Sequence, residues 1–563
     1  MGLQLYRTGL DLDKMGSKAN DIKPWVVFGL ILVAVVSLHW WKWVGGEPFF
    51  NNDETRHVMT GVFFRDLFID LPIGHLRDYV VNYYLQYPAL GLLIWPPMFY
   101  VIEGMAMMAF GTSFLFAKIL IVGFACLSLY YLFRLSLLTH GLLTASLATV
   151  FMAISPLFFQ YSQLVMLEIP TLAFAMASLY HFNLFLEGGK KQDIIFSGMA
   201  CAFAMLTRFD ALFLLPTFLA LVLLRKQPFI LFRKEVLLTF FLCLLFISPF
   251  YAATAIEFGK SHMQAIGTGT APGSTHFLAL LNFIYYPKAV PEQMGWSLTL
   301  LLVIGALSFL LHFSRKNMRQ WLPFFALALF TYVTFTPMAE LGPRHTIYWV
   351  PALSVFATAP INLLFRLRLK FFGILLACLC LIATAYGTLR KEVPFLIGYE
   401  EAAKYVLDST KTSPYCLFDN FLNGNLIYQI RRHDSKRRLS VLRGDKLFYA
   451  VMSEPHAAYK EFALGKEDIL SGIYKYDPEY IVVEYPQVRF QMPMAGLLRE
   501  VLEDSTDRFQ RVWDIPLETN QNSFKGVSLL IYKNLIRNPH PTRLQGLEMV
   551  GLGHPILAPK SKY

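Results

Sequence analysis

Charged residues are scarce in this sequence. Of its 563 residues, 16% are Asp, Glu, Lys or Arg, whereas 55% are hydrophobic, and the mean hydropathy is +0.45. Soluble globular domains carry about 25% charged residues, so the composition excludes that class. The sequence predicts a polytopic membrane protein, and its 50 Phe and 28 Tyr residues would supply lipid-facing surfaces and aromatic belts.

Cysteine is also scarce in this sequence. The six cysteines lie mostly in hydrophobic segments and do not suggest a disulfide framework, and no Cys/His spacing is typical of a zinc site. We find no internal repeat and no low-complexity tract.

The formal net charge of +11 does not indicate nucleic acid as a partner, because the Lys and Arg residues concentrate in short loops, as the positive-inside rule requires.

These short basic clusters order the hydrophobic segments. If all the clusters are cytoplasmic, about eleven spans follow, with the N-terminus inside and the C-terminus outside. The first span, Pro24 to about Trp43, is too long for a signal peptide and is interpreted as a retained anchor. The other spans are predicted at 114–134, 141–158, 164–186, 193–209, 211–224, 236–254, 294–313, 320–337, 345–363 and 371–388.

The segment 91–111 does not fit this alternation as a full crossing. It is interrupted by prolines and carries Glu103. We therefore predict a helix that lies at, or dips into, the outer interface, with Glu103 facing solvent.

The predicted fold class is mainly α: a polytopic membrane protein followed by a small α/β extracytoplasmic C-terminal domain. After residue 388 the composition becomes that of a soluble domain, with a helix predicted at 398–410 and strands at 414–419, 479–486 and 525–533. The predicted regions are a cytoplasmic tail (1–24), a transmembrane domain (25–388) with a first outer loop (45–113) that contains juxtamembrane helices, the α/β domain (389–540) and a C-terminal tail (541–563).

This topology collects several ionisable residues on the outer face. Asp53 and Glu54 follow the first span within NNDETRH (51–57), and Glu168 follows the outward end of segment 141–158. Polar groups at a membrane boundary are costly, about 2.5–3.5 kcal/mol each at a helix centre, and are usually functional. Cations on the same face, at Arg208 and at Arg344 with His345, complete a cleft suited to an anionic, lipid-borne substrate.

Glycosyl transfer from a polyprenyl-phosphate sugar suits such a cleft. The phosphate leaves as an anion, and Arg binds phosphate oxygens bidentately. The acceptor must lose a proton as it attacks, so a carboxylate can serve as general base, and a second acid can orient the first. Nucleotide sugars are cytosolic, so they would be poor donors for residues that face outward.

The sequence resembles the membrane-embedded, C-type glycosyltransferases that use lipid-phosphate sugars, in the branch with protein O-mannosyltransferases and lipid A aminoarabinose transferases. The resemblance covers about the first 390 residues and rests on the order of several short motifs. These are N-D-E-T-R (52–56), Y-P (87–88), W-P-P-M-F-Y (95–100), S-P-L-F-F (155–159), M-L-E-I-P (166–170), L-T-R (206–208) and P-R-H (343–345).

The resemblance implies roles for individual residues. Asp53 matches the catalytic base, Glu54 its acidic neighbour, Glu168 the acid of a second loop, and Arg344 a cation near the lipid phosphate. Several relatives carry a Lys at the position of Trp95 or Pro96, which this chain lacks.

Without that Lys, phosphate binding would depend on Arg344, His345 and Arg208. Tyr87 and Trp95 are predicted to line the substrate site. No metal site and no cofactor is predicted, although two adjacent acids could hold a divalent ion.

Each of these residues also has a simpler interpretation. The acids at 53 and 54 could favour a helix N-terminus capped by Asn51 or Asn52, and Glu168 could be an interfacial residue before a helix that begins with proline. Arg344 could extend its side chain to the membrane interface, and Arg208 could form a local ion pair with Asp210. The aromatic residues Tyr87 and Trp95 could belong to an interfacial belt.

The sequence therefore predicts an inverting glycosyltransferase of the plasma membrane that moves a monosaccharide from a polyprenyl-phosphate carrier. Its predicted partners are that donor, membrane lipid, and a glycan, lipid or protein acceptor on the outer face. Two alternatives stay open: a transporter or flippase of a lipid-linked sugar, and a transferase of a preassembled glycan. A transporter would be expected to show internal repeats and ionisable groups near the midplane, which are not evident here.

Overall fold

A computed structural model describes residues 22–42, 52–269, 274–311, 315–451, 459–488, 492–547 and 555–559. Almost all of the predicted N-terminal tail, the Asn51 cap and much of the C-terminal tail lie outside these ranges. The chain forms a mainly α membrane part followed by a small α/β domain, so the predicted fold class is confirmed.

Seventeen α-helices can be numbered in the membrane part of the described chain. Their bounds are α1 Ile22–Trp41, α2 Asn52–Asp70, α3 Leu76–Gln86, α4 Met98–Phe110, α5 Phe114–His140, α6 Leu142–Ile154, α7 Pro156–Tyr161, α8 Glu168–Gly188, α9 Lys191–Met205, α10 Leu214–Leu224, α11 Lys234–Gly267, α12 Leu280–Met294, α13 Trp296–Leu311, α14 Arg315–Phe335, α15 Val350–Ala357, α16 Ala359–Arg366 and α17 Lys370–Arg390. Short 3₁₀ helices at Phe209–Phe213, Pro228–Phe232 and Pro343–Trp349 connect some of them.

Length and composition alone identify six helical stretches among the described residues that could cross a membrane. Four shorter apolar helices add to them, at Met98–Phe110, Leu142–Ile154, Phe209–Leu224 and Trp296–Leu307. The protein is thus a multi-pass membrane protein, and the count of eleven spans stays a prediction. The six long stretches are Lys23–Trp41, Phe114–His140, Glu168–Gly188, Lys234–Gly267, Pro343–Arg366 and Lys370–Arg390.

The first outer loop is built around two packed helices, α2 and α4. Glycine permits their close approach, because a Cβ added at Gly104 would lie 2.8 Å from the backbone nitrogen of Arg65. The prediction that Glu103 faces solvent is wrong: its side chain is buried against Gly61, at the packed interface between α2 and α4. This packing fixes the position of the N-terminal end of α2, where the acidic pair lies.

The segment 255–293, which follows the predicted span 236–254, is largely helical. Helix α11 continues to Gly267, well past the end of the predicted span at 254, and α12 begins at Leu280. The side chains of α11 near its C-terminal end, including His262 and Ile266, line the same cavity as Asp53.

The C-terminal domain contains a five-stranded mixed sheet. The helix and three strands predicted in this domain appear at α18 Tyr399–Ser409, β2 Tyr415–Asp419, β6 Tyr480–Tyr485 and β9 Ser528–Asn534. The sheet order is β3-β2-β6-β9-β7, in which β3, β2 and β6 are parallel and the last two pairs are antiparallel. The remaining elements are β1 Leu396–Ile397, α19 Asn423–His433, β3 Ser440–Arg443, α20 Gly444–Leu447, β4 Tyr449–Val451, β5 Tyr459–Glu461, α21 Lys466–Tyr476, α22 Pro493–Asp504, β7 Phe509–Pro516, β8 Glu518–Thr519, β10 Gly546–Leu547 and β11 Ile556–Leu557.

Buried charges join this domain to the first outer loop. Arg431 of α19 donates to the Asp66 carboxylate of α2 at 2.9 and 2.5 Å, and the Tyr83 hydroxyl of α3 donates to the same oxygen at 2.6 Å. Tyr428 adds a hydrogen bond to the carbonyl of Thr112 at 2.7 Å. Asp66 and Arg431 are both buried, and Asp66 also pairs with Arg65 at 3.0 Å, so this contact helps to fix the domain in place.

Candidate functional site

A large cavity lies between the outer ends of the membrane helices and the C-terminal domain. Its volume is about 810 Å³, enough for a sugar with its linking phosphate and part of an acceptor. Asp53 and Arg344 line it from the membrane side, and Asp419 and Lys446 line it from the C-terminal domain. The two parts of the chain therefore form one site together.

Asp53 lies in the first turn of α2, at the edge of this cavity. Its Oδ2 is 3.6 Å from Arg344 Nη1, and its Oδ1 is 3.9 Å from Arg56 Nη1. Burial opposes ionisation of this carboxyl, but the nearby cations, Arg344 first, hold its pKa below the ordinary value. Asp53 is therefore a carboxylate at neutral pH and can accept a proton.

Glu168, at the start of α8, is buried behind the cavity wall. Its Oε1 accepts a hydrogen bond from Arg208 Nη1 at 2.8 Å and lies 3.8 Å from Arg344 Nε. The carboxylate thus contacts both arginines from behind and does not line the cavity itself. In this position Glu168 contacts the two cations and lies behind the cavity wall.

The two arginines that contact Glu168 differ in how firmly they are held. Arg208 binds Asp210 through Nε and Nη2, at 2.9 and 2.6 Å, in addition to its bond to Glu168. Arg344 has only the longer ion pairs to Asp53 and Glu168, and neither is short enough for a hydrogen bond. Arg208 is therefore a structural ion-pair partner, whereas Arg344 keeps donors that can turn toward an anion. We call these five residues (Asp53, Glu168, Arg208, Asp210 and Arg344) the membrane-side cluster.

Glu54 points away from the cavity although it is adjacent to Asp53. Its side chain is fully buried, and its Oε1 accepts a hydrogen bond from the backbone nitrogen of Val165 at 3.0 Å. It also interacts electrostatically with Lys118 of α5. Adjacent helical residues point about 100° apart, which explains why the two acids have different surroundings. Glu54 holds α2 against the segment that precedes Glu168.

The remaining predicted residues divide into those that face the cavity and one that does not. Trp95 and His345 line it, and the His345 ring stacks on Phe335. Tyr87 does not line it: its side chain is fully buried and lies beside Tyr83 and Arg431, where it contributes to packing.

The sequence did not single out His57 as part of the site, yet its imidazole lines the cavity. The ring hydrogen-bonds to the Tyr100 hydroxyl at 2.7 Å and packs edge-on against Trp95. Burial lowers the pKa of His57 to about 4, so the ring is neutral at physiological pH. His57 can therefore shape the cavity wall without adding a cation for phosphate.

The C-terminal domain supplies ionisable side chains that the sequence did not single out. Arg443 at the end of the short strand β3, and Asp445 and Lys446 directly after it, line the cavity, as do Asp419 at the end of β2 and Arg499 of α22. The run RGDK (443–446) begins with the last residue of this four-residue strand, and it would have been noticed only if β3 had been predicted. Among the described residues, no group of three or more His, Cys, Asp or Glu side chains could hold a metal ion.

Part of the chain matches a known family model. Residues 95–252 match the dolichyl-phosphate-mannose-protein mannosyltransferase family. This stretch contains Glu168 and Arg208 and covers less than half of the chain. No curated protein sequence matches the chain.

The fold is that of known membrane glycosyltransferases. ArnT from Cupriavidus metallidurans, in a crystal structure bound to undecaprenyl phosphate, is similar with a TM-score of 0.61 at 11% identity, over 92% of this chain and 99% of that one. The oligosaccharyltransferase of Archaeoglobus fulgidus in its apo form is similar with a TM-score of 0.54 at 11% identity, over 82% and 70% of the two chains. The resemblance to C-type glycosyltransferases that the motifs indicated is confirmed in fold, and in the family model for 95–252.

Proposed function

We propose that the protein is an inverting glycosyltransferase that moves a monosaccharide from a polyprenyl phosphate to an acceptor outside the cytoplasm. The observation that carries this proposal is the pairing of Asp53 with a loosely held Arg344 at the edge of a large cavity. ArnT, which shares the fold, has been crystallised with undecaprenyl phosphate, which supports a lipid-phosphate donor. We place the protein in the plasma membrane with its C-terminal domain outside.

The donor phosphate binds at Arg344. This guanidinium makes no short contact with either neighbouring carboxylate, so a phosphate oxygen can replace the ion pair with Asp53 without leaving a buried charge unpaired. Glu168 stays behind Arg344 and keeps it oriented, and His345 lines the adjoining wall. Arg208 is already hydrogen-bonded to its carboxylate partners, so it supports the phosphate site without binding the phosphate itself.

The chemical step is a single displacement at the anomeric carbon. The acceptor oxygen or nitrogen forms a bond to that carbon while the bond from carbon to phosphate oxygen breaks, and the electron pair leaves with the polyprenyl phosphate. Asp53 takes the acceptor proton. Because one attack occurs opposite the leaving group, the configuration inverts.

Donor binding strengthens the base. In the free protein Arg344 favours the ionised form of Asp53 and so lowers the pKa of that carboxyl. A bound phosphate neutralises part of the positive charge that Arg344 presents to Asp53. The pKa of Asp53 therefore rises, and the carboxylate becomes a better proton acceptor. The same cation thus serves the phosphate and adjusts the base. The scheme uses no metal and no other cofactor.

The test is transfer of a labelled sugar from a polyprenyl phosphate by the purified full-length protein with cell-envelope acceptors. Asp53→Asn should lower kcat by about 10²- to 10⁴-fold, the usual contribution of a general base. Asp78→Asn is the matched control, because it makes the same chemical change at an exposed site on α3 and should leave transfer unchanged.

Thermal unfolding of each variant shows whether the fold is kept. Full transfer by the Asp53→Asn protein would overturn the assignment of the base. Movement of the labelled lipid across a vesicle membrane without transfer would favour the flippase. Loss of transfer on adding a chelator would overturn the metal-free scheme.

A further inference from the structure

The C-terminal domain presents the carboxyl ends of three parallel strands to the cavity. β2 ends at Asp419, β3 at Arg443 and β6 at Tyr485, and residues at or next to these ends line the cavity. From β2 the chain passes to β3 on one side and later to β6 on the other, so the strand order reverses at β2. In open α/β sheets, ligands bind in the crevice outside the carboxyl ends at such a reversal.

Most charges in this crevice are paired into a fixed frame. Asp419 accepts hydrogen bonds from the Tyr449 hydroxyl at 2.9 Å and from Arg499 at 2.8 Å. Arg443 pairs with Asp445 and also donates to the carbonyl of Pro88, in the first outer loop, at 2.6 Å. These pairs cancel in charge, so the frame itself attracts neither anions nor cations.

Several other polar groups in the crevice have no partner among the described residues. The Lys446 ammonium lines the cavity without a hydrogen bond or ion pair, and Glu484 Oε2, Asn420 Oδ1 and Asn423 Oδ1 are buried and unsatisfied. Buried polar atoms are hydrogen-bonded in most proteins, so a group of exceptions around one cavity indicates a ligand with hydroxyl or amide groups. Lys446 adds a positive charge that no hydrogen bond or ion pair holds, although the carboxylate of Asp445 favours it electrostatically.

Arg56 supplies a second positive charge, on the side of Asp53 that faces away from Arg344. The two oxygens of Asp53 face different cations: Oδ2 lies near Arg344, and Oδ1 lies 3.9 Å from Arg56. Burial lowers the pKa of Lys446 to about 8, and repulsion from Arg443 and, more weakly, Arg56 adds to this effect, which Asp445 partly opposes. An anion between Arg56 and Lys446 would relieve this repulsion.

These positions separate two anion sites. In an in-line displacement the leaving phosphate and the attacking acceptor lie on opposite sides of the anomeric carbon, and the base lies on the side of the acceptor. Arg344 serves the leaving phosphate, so the cations near the other oxygen of Asp53 belong to the acceptor.

We propose that the crevice at the carboxyl ends of β2, β3 and β6 is the acceptor subsite, and that the acceptor is a polar molecule with an anionic group, a phosphate or a carboxylate, bound between Lys446 and Arg56. This inference rests on the proposed function. It assigns the C-terminal domain a direct role in choosing the acceptor.

The test measures binding to the full-length protein in detergent or nanodiscs. The probes are glucose, glucose 6-phosphate, glucuronate and, separately, undecaprenyl phosphate. We expect at least one anionic hexose to bind about tenfold more tightly than glucose, which is the usual value of a charged hydrogen bond, and we expect Lys446→Gln to abolish that preference. Lys436→Gln removes the same charge at an exposed site of the same domain and should change nothing.

The outcomes distinguish this inference from the proposed function. Equal binding of all three hexoses, no binding of any of them, or an anionic preference that survives Lys446→Gln would overturn the acceptor subsite. Weaker binding of undecaprenyl phosphate by the Lys446→Gln protein would mean that Lys446 binds the donor, and this result would also overturn the acceptor subsite. Failure of undecaprenyl phosphate to bind the wild-type protein would count against the proposed donor, whatever the hexoses do.

Discussion

The two sides of the cavity are built alike and differ in how far apart their residues lie in the sequence. The membrane-side cluster joins residues of α2, α8 and two inter-helix segments, from Asp53 to Arg344. The crevice of the C-terminal domain uses residues next to the ends of adjacent strands. On each side most charges are paired, and some cations are loosely held: Arg344 and Arg56 on the membrane side and Lys446 opposite them.

This comparison separates charges that hold the structure from charges that meet ligands. The firmly held groups, such as Arg208 with Asp210 and Arg443 with Asp445, have short hydrogen bonds and little exposure. The loosely held ones line the cavity and have few or long contacts. If the distinction is correct, substitution of the first kind should reduce stability, and substitution of the second kind should reduce binding or rate.

The largest effect on stability is expected for Arg208→Gln. It would leave the half-buried Asp210 without its cation and the buried Glu168 with only its 3.8 Å contact to Arg344, which costs about 3–5 kcal/mol. Thermal unfolding of the purified protein measures the loss. A normal unfolding temperature together with weakened donor binding would show that Arg208 is a ligand-binding cation. The distinction between structural and ligand-binding charges would then be wrong for this residue.

Arg431→Met should cost about 1.5–3 kcal/mol, because it removes the charged hydrogen bonds of Arg431 to the buried Asp66, which keeps only its contact with Arg65 at 3.0 Å and a longer one with Arg437 at 3.7 Å. Its effect should be confined to the docking of the C-terminal domain. Limited proteolysis should release that domain faster, while undecaprenyl phosphate still binds the membrane part. Unchanged proteolysis would mean that this ion pair does not fix the domain.

Arg344→Gln should retain the fold and lose transfer. Removal of a charged contact to phosphate costs about 1.5–3 kcal/mol, so we expect weaker binding of undecaprenyl phosphate by about 10- to 150-fold. Binding titration with the purified variant measures this, and its unfolding temperature should stay near that of the wild type. Undiminished donor affinity would remove the assignment of Arg344 to the phosphate.

The smallest effect is a shift in pH dependence. Arg344 and the other nearby cations lower the pKa of Asp53, so its base form is present at neutral pH and is lost only as the pH falls through that lowered value. The acid limb of kcat/KM for the donor, which reports the free protein, should therefore lie at low pH. The acid limb of kcat, which reports the complex that contains the donor, should lie at a higher pH. Coincident limbs would contradict the coupling between Arg344 and the base.

Much of the fold followed from sequence patterns. Long apolar segments and basic loops predicted the membrane part, and alternating elements predicted the α/β domain with helix Tyr399–Ser409 and strand Tyr480–Tyr485 close to where they lie. The short strand β3 was missed, because four residues give too little periodicity to recognise. Glu103 was predicted to face solvent, since composition does not reveal the glycine-mediated packing of α2 on α4.

The candidate site was predicted in part. The ordered motifs brought Asp53, Glu168 and Arg344 to one face, and the structure places the three close together. The motifs could not show that Glu54 and Tyr87 turn into the protein interior, because side-chain direction depends on the rotation of each element against its neighbours. Whether these residues act as proposed remains a prediction.

The sequence alone determined that this chain enters a membrane, because hydrophobic transfer depends on composition and length, and it determined which ionisable residues stand beside the apolar segments. Tertiary structure alone decided which of those residues meet. Arg344 approaches Asp53 across nearly three hundred positions, and Lys446 faces the same cavity from another domain. Such proximity arises from helix packing and domain docking, which are non-local interactions that no local pattern records.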